Sequence, residues 1–126
     1  MPEKKSVSTD SATAEIMRSA VIKELEDIKS EEIVTIGLNG KSDFADYMIV
    51  ATGRSQRQVG AAAERVRKAA KALSGRAVAV EGLPACDWVL IDTGDVIVHI
   101  FRPEVREFYQ LEKMWMDPGE AVVAKI

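Results

Sequence analysis

Gly94-Asp95 stands between two β-branched runs, Trp88-Val89-Leu90-Ile91-Asp92-Thr93 and Val96-Ile97-Val98-His99-Ile100-Phe101. A two-residue pair of this kind specifies a tight antiparallel hairpin, and a hairpin of known loop length fixes which residues face one another. With Gly94-Asp95 as the whole loop, Thr93 pairs with Val96, Ile91 with Val98 and Val89 with Ile100, a continuous apolar face that belongs in a core. The opposite face sets Trp88 beside Phe101, Leu90 beside His99 and Asp92 beside Ile97. It is large, aromatic and partly polar. A wholly buried face does not usually hold both Asp92 and His99, so this side of the hairpin is expected to meet something other than the chain's own interior.

The rest of the chain supplies partners for that hairpin. Residues 1–10 are polar and without periodicity and are expected to form a flexible N-terminal arm. Over residues 11–29, Ile16, Ala20 with Val21, Leu25 and Ile28 recur at helical spacing behind Asp10 or Ser11 as N-cap. Ile33-Val34-Thr35-Ile36-Gly37-Leu38, stopped by Asn39-Gly40, and Tyr47-Met48-Ile49-Val50-Ala51, stopped by Thr52-Gly53, predict two strands. Ser55-Gln56-Arg57-Gln58 has the form of a capping box, and Val59, Ala62, Ala63, Val66, Ala69, Ala70 and Leu73 give the helix behind it a face of mostly small side chains. Such a face lets a helix axis approach a sheet closely, and Gly75 suits a left-handed stop. Ala77-Val78-Ala79-Val80 predicts a third strand ahead of the hairpin. After it, Pro103 opens a last helix with Glu104 and Glu107 near its positive end. Val105, Phe108, Leu111, Glu112 and Trp115 form an imperfect stripe until Asp117-Pro118-Gly119 ends the element. The order α-β-β-α-β-β-β-α predicts an α+β domain built on a single mixed five-stranded sheet. The domain is expected over residues 11–116, with a tail over residues 117–126.

With 126 residues there is room for one domain. A lone cysteine, Cys86, cannot form an internal disulfide, and with a single histidine, His99, it cannot build a zinc site of several soft ligands. No apolar run approaches the roughly 18 residues of a membrane span, and no apolar core follows the N-terminal lysines. A bacterial cytoplasm is the expected setting, with no membrane and no DNA as partner. The net charge of −3 conceals an asymmetry. Residues 54–76 hold seven cations against one anion, and residues 81–120 hold nine acids against three bases. Such opposed fields bear on partner choice.

Candidate chemistry is thin. Gly40-Lys41-Ser42 has Thr35 where a phosphate loop needs its first glycine, and no helix is signalled behind it. Thr52-Gly53-Arg54-Ser55 joins a strand to a helix N-terminus, which can hold an anion, but a turn plus cap explains the same residues and is the preferred reading. Asp43 and Asp46 are three apart, whereas a nucleotidyl transferase wants two acids two apart on one strand. Asp92 and His99 share a face and could form an acid–base pair, but no nucleophile has a readable place beside them, and Cys86 reads as a small buried thiol. No catalytic residue, metal or cofactor is therefore expected. A binding surface has more support. Tryptophan, tyrosine and arginine dominate binding energy at interfaces, and Trp88, Phe101, Tyr109, Trp115 and Arg106 crowd the C-terminal half. Phe108 and Trp115 read equally well as core.

At Asp46-Tyr47-Met48-Ile49-Val50-Ala51-Thr52-Gly53, Glu81-Gly82, Asp87-Trp88, Asp92-Thr93-Gly94-Asp95-Val96-Ile97-Val98-His99 and Pro103-Glu104-Val105-Arg106-Glu107-Phe108-Tyr109-Gln110-Leu111-Glu112, the sequence resembles the ribosomal silencing factor, or Iojap, family. The resemblance runs over about residues 12–115 in unbroken order. It departs at Gln58, where the family often has histidine. The resemblance implies a sheet similar to the nucleotidyl transferase fold without its catalytic carboxylates. It also implies binding to large-subunit ribosomal protein fourteen on the large subunit, blocked subunit joining and lowered translation when nutrients are scarce. It leaves a homodimer of the free protein and a contact with rRNA open. On that basis Trp88, Leu90, Asp92, His99, Phe101, Arg106 and Tyr109 are the expected partner-binding residues. The alternatives are a diverged metal-dependent nucleotidyl transferase using Asp43, Asp46 and Asp92, and an RNA-binding module using the basic second helix.

Overall fold

A computed structural model describes the backbone over residues 3–38 and 45–109, and side chains over residues 13–38 and 45–106. The elements are α1 (Glu3–Asp27), β1 (Glu31–Gly37), β2 (Tyr47–Thr52), α2 (Gln56–Ser74), β3 (Ala79–Glu81), β4 (Trp88–Asp92), β5 (Val96–Phe101) and α3 (Pro103–Tyr109). The order agrees with the sequence expectation. Its five strands form one mixed sheet in the order β1-β2-β5-β4-β3, with β2 and β5 parallel and every other neighbouring pair antiparallel.

The hairpin register is the one its turn dictates. Trp88 lies opposite Phe101, Leu90 opposite His99 and Ile91 opposite Val98. Thr93 and Val96 close the turn through both backbone and hydroxyl, with Thr93 N donating to Val96 O at 3.0 Å and Val96 N to Thr93 Oγ1 at 3.1 Å. Val89, Ile91, Val98 and Ile100 are fully buried, as the apolar face requires. Parallel pairing sets β2 against the other side of β5, Val50 opposite His99 and Thr52 opposite Phe101.

α1 and α2 cover that apolar face. Ala14, Met17, Val21 and Leu25 of α1, with Val59, Ala62, Ala63, Val66 and Ala70 of α2, close the core over Ile49, Ala51 and the hairpin. Ser55 caps α2 by accepting from Gln58 N at 3.1 Å, and Gly75, at φ 72°, ends it in the left-handed conformation. The Gln58 side chain departs from a capping box: its Oε1 takes the N–H of Arg54, not of Ser55, at 2.7 Å.

Several boundaries differ from expectation. α1 starts at Glu3, so much of the expected arm, and the expected caps Asp10 and Ser11, lie inside the helix. No proline or glycine between residues 3 and 11 interrupts it. Among its described side chains Ala14 and Met17 are buried, whereas Ile16 is at 58% exposure. Leu73, at 49%, likewise extends past the edge of the sheet that α2 covers. β3 is shifted two residues toward the hairpin and is only three residues long. Asn39-Gly40, Gly40-Lys41-Ser42, Asp43, Trp115 and residues 117–126 lie outside the described residues, as do the side chains of Phe108 and Tyr109.

Candidate functional site: the outer sheet face

The second face of the sheet carries every expected contact residue that lies on a strand. Alternation along β4 sends Trp88, Leu90 and Asp92 to this side, and alternation along β5 sends Ile97, His99 and Phe101. Met48 and Val50 of β2, Val34 and Ile36 of β1 and Val105 of α3 extend it into a second apolar cluster around the fully buried Phe101.

Burial divides the seven expected contact residues into two layers. Trp88 and Leu90 are half-buried and Asp92 is exposed, so these three form a row along β4 that another molecule could reach. Phe101, His99 and Arg106 are buried, at 0%, 5% and 6% exposure, and their expected place at the surface is corrected: they lie beneath it. Each has a physical reason. The Phe101 ring lies under the Trp88 indole, centroids 5.0 Å apart, and stacks on His99 with an interplanar angle of 6°. His99 is tolerated inside because its Nδ1 accepts the indole N–H of Trp88 at 3.0 Å. Arg106 reaches inward from α3, and its guanidinium donates to Glu32 O and Thr52 Oγ1, both at 2.7 Å. Glu32 offers that carbonyl because its φ of 49° lies at an irregularity in the β1–β2 register. Arg106 thereby clamps α3, which ends in Tyr109, to β1 and β2.

The acid content of the patch is larger than expected. Glu81 of β3 lies opposite Leu90 on the same face and is exposed, so Glu81 and Asp92 flank the accessible row. Gly82 and Pro84 mark a loop between β3 and β4, but one too long to fix the register that reveals Glu81. Asp92 also has a local task, its Oδ1 accepting the N–H of Gly94 at 2.9 Å in the hairpin turn.

The loop between β3 and β4 holds Trp88 in place from below. Gly82 sits at φ 105°, and a Cβ there would come within 2.2 Å of the Trp88 carbonyl oxygen. Gln56 Nε2 donates to Ala85 O at 3.0 Å and Asp87 Oδ1 at 3.2 Å, and Arg102 Nε donates to Asp87 Oδ1 at 2.8 Å. Cys86 is buried, and its sulfur lies 3.1 Å from where a Cβ on Gly60 of α2 would stand.

The basic stretch from Arg54 onward is partly neutralised, by neighbouring elements and within α2 itself. Arg54 pairs with Glu31 at 2.5 Å, Arg65 with Glu24 at 2.9 Å and Arg67 with Glu64 at 2.5 Å. On α1, the Glu15 carboxylate accepts from the Tyr47 hydroxyl and from Arg18. The Tyr47 bond first, and then Arg18, hold its carboxyl below the usual range, while the same Glu15 contact raises the Tyr47 phenol above its own. Among the described residues no group of three or more His, Cys, Asp or Glu could hold a metal ion, and no helix is long and apolar enough to cross a membrane. A groove of about 380 Å³ lined by Thr13, Ile16, Met17, Leu73, Arg76 and Asp95 lies at the hairpin-turn end of β5, away from Phe101.

The family described as ribosomal silencing factor during starvation matches the chain over residues 10–126. The chain belongs to the ribosomal silencing factor family. That match takes in the last eleven residues, beyond the motifs that carried the resemblance. A ribosomal silencing factor of Zymomonas mobilis is 51% identical over 114 residues, spanning 90% of this chain and 84% of the relative. The mouse protein named for mitochondrial assembly of the ribosomal large subunit is 34% identical over 89 residues, which is 68% of this chain and 39% of that protein. A crystal structure of a Chromobacterium violaceum protein superposes with a TM-score of 0.77 at 38% identity, covering 82% of this chain and 88% of that one. In this ribosomal silencing factor family member, then, the Trp88 row is the accessible part of an aromatic sheet face, backed by a buried layer.

Proposed function

We propose that the protein docks on the large ribosomal subunit through Trp88, Leu90, Asp92 and Glu81, with Tyr109 at the end of α3, and that its contact there is large-subunit ribosomal protein fourteen. The bound domain keeps the small subunit away by its volume and lowers translation under nutrient limitation. No bond is made or broken, because occupancy of the joining face is sufficient.

The observation that carries this reading is the half-buried Trp88, lying beside half-buried Leu90, over buried Phe101 and His99 and near the exposed acids Glu81 and Asp92. An aromatic anchor ringed by acids suits a basic protein surface, with the indole supplying buried area and Glu81 and Asp92 supplying orientation and rate of encounter. Family membership supports the ribosomal setting, as does the mouse relative named for assembly of the large subunit.

Gradient sedimentation of purified subunits, with and without the protein, tests it. Saturating protein is expected to leave the subunits unjoined and to travel with the large one. Trp88→Ala is expected to cost about 2 kcal/mol or more in binding while the domain still folds. Subunits that join normally at saturating protein would overturn the reading.

A further inference from the structure

We infer that His99 is a positioning residue that presets the Trp88 indole for docking. The inference rests on the docking role of Trp88 proposed above and adds the device that holds this side chain before any partner arrives.

An indole N–H can only donate, so the atom facing it at 3.0 Å, His99 Nδ1, must present a lone pair. His99 is therefore neutral in this arrangement, with its proton on Nε2. Its ring is fixed in turn by parallel stacking on Phe101, centroids 5.9 Å apart, and Phe101 has no exposure through which to move. Trp88 thus has its ring tilted at 38° against Phe101 and its N–H donated to His99. An anchor held this way gives up little freedom on binding.

The other described groups on this sheet face have tasks of their own. Leu90 on β4 and Val50 on β2 lie opposite His99 and are apolar. Asp92 of β4 turns a carboxylate oxygen to Gly94, Arg106 of α3 donates to Glu32 and Thr52, and Glu104 of α3 pairs with Arg102. Glu81 lies beyond Leu90 on β3. Protonation of His99 at Nδ1 removes the lone pair and sets two donors against each other, so the preset is lost as the ring becomes cationic.

The free protein, labelled with nitrogen-15, gives the first readout. A scalar coupling across the hydrogen bond between Trp88 Nε1 and His99 Nδ1 is expected while the His99 ring is neutral and is expected to vanish as that ring takes up a proton, followed by its own nitrogen shifts in the same spectra. Binding to purified large ribosomal subunits gives the second. His99→Phe, which keeps ring and burial but has no acceptor, is expected to bind about tenfold more weakly. His99→Asn, whose amide oxygen can take the indole N–H, is expected to stay within about threefold of the unaltered protein and to show no change with pH where that protein weakens in acid. Absence of the coupling, or His99→Phe binding at full strength, or His99→Asn falling as far as His99→Phe, overturns the inference. Trp88→Ala binding at full strength overturns the docking reading and this inference with it, even where the unaltered protein shows the coupling. A missing coupling alongside a weakened Trp88→Ala variant overturns the positioning role alone.

Discussion

Gly82 is the residue at which the accessible row depends most directly on a missing side chain. Its φ of 105° and the 2.2 Å approach of a notional Cβ to the Trp88 carbonyl leave no relaxed place for alanine. Gly82→Ala is expected to destabilise the domain by about 3 kcal/mol, read from the urea midpoint, and to weaken docking by displacing the start of β4. Lys29 is the opposite case. It occupies the left-handed position, φ 63°, at the end of α1, where Ser30 N bonds Leu25 O and Lys29 N bonds Glu26 O, a place that glycine fills more cheaply. Lys29→Gly is expected to stabilise by roughly 0.5–1 kcal/mol in the same measurement. Arg106 shows how a residue can be noticed in the sequence and given the wrong task. An arginine among aromatics reads as a binding hot spot, yet its guanidinium closes a buried contact with Glu32 O and Thr52 Oγ1. Arg106→Met is expected to cost about 2 kcal/mol of stability by stranding both acceptors, again by urea unfolding.

Local chemistry made some elements legible and left others hidden. The β4–β5 pairing was readable to the residue because Gly94-Asp95 fixes both loop length and register, and α2 because Ser55 and Gly75 mark its ends. The start of α1 was misplaced because nothing polar in residues 3–10 forbids a helix that continues from a buried one. β3 was displaced because three residues carry almost no periodicity. Strand order was unreadable, since the central β2–β5 pair joins segments with no turn between them. Of the candidate site, the face was legible from alternation, but not its layering: a polar histidine argued for exposure, and the indole N–H aimed at Nδ1 makes its burial tolerable. The α1–β2 contact makes a pH-dependent expectation. Glu15 is held below its ordinary value of 4.5, so the stability it lends is present above that pH and is lost as acid protonates it. Tyr47 is held above 10.0, so its share is present below that pH and is lost as alkali ionises it. Tyr47→Phe is therefore expected to melt below the unaltered protein near neutrality, and the gap is expected to close toward both extremes of pH.

At the scale of the whole molecule, the opposed charges of the sequence sort onto two surfaces. Arg54 ahead of α2 meets an acid of β1 and Arg65 of α2 meets acids of α1, whereas Glu81 and Asp92 stand exposed beside the aromatic row. The paired charges are at the surface, so the urea midpoint is expected to change little with salt. Docking is expected to weaken several-fold between about 0.1 M and about 0.5 M salt, measured by sedimentation with large subunits, because its acids act across a solvated rim.

The parallel pairing of β2 with β5 also has a temporal consequence. Everything from α2 through β4 must be synthesised before β2 acquires its second neighbour, so a nascent chain carries an open, apolar strand edge until Phe101 has left the exit tunnel. A fragment cut short of that point keeps the stickiness of the strand without the shape of the finished domain. Synthesis that stops short of that point accordingly yields a misfolding hazard and not a smaller domain.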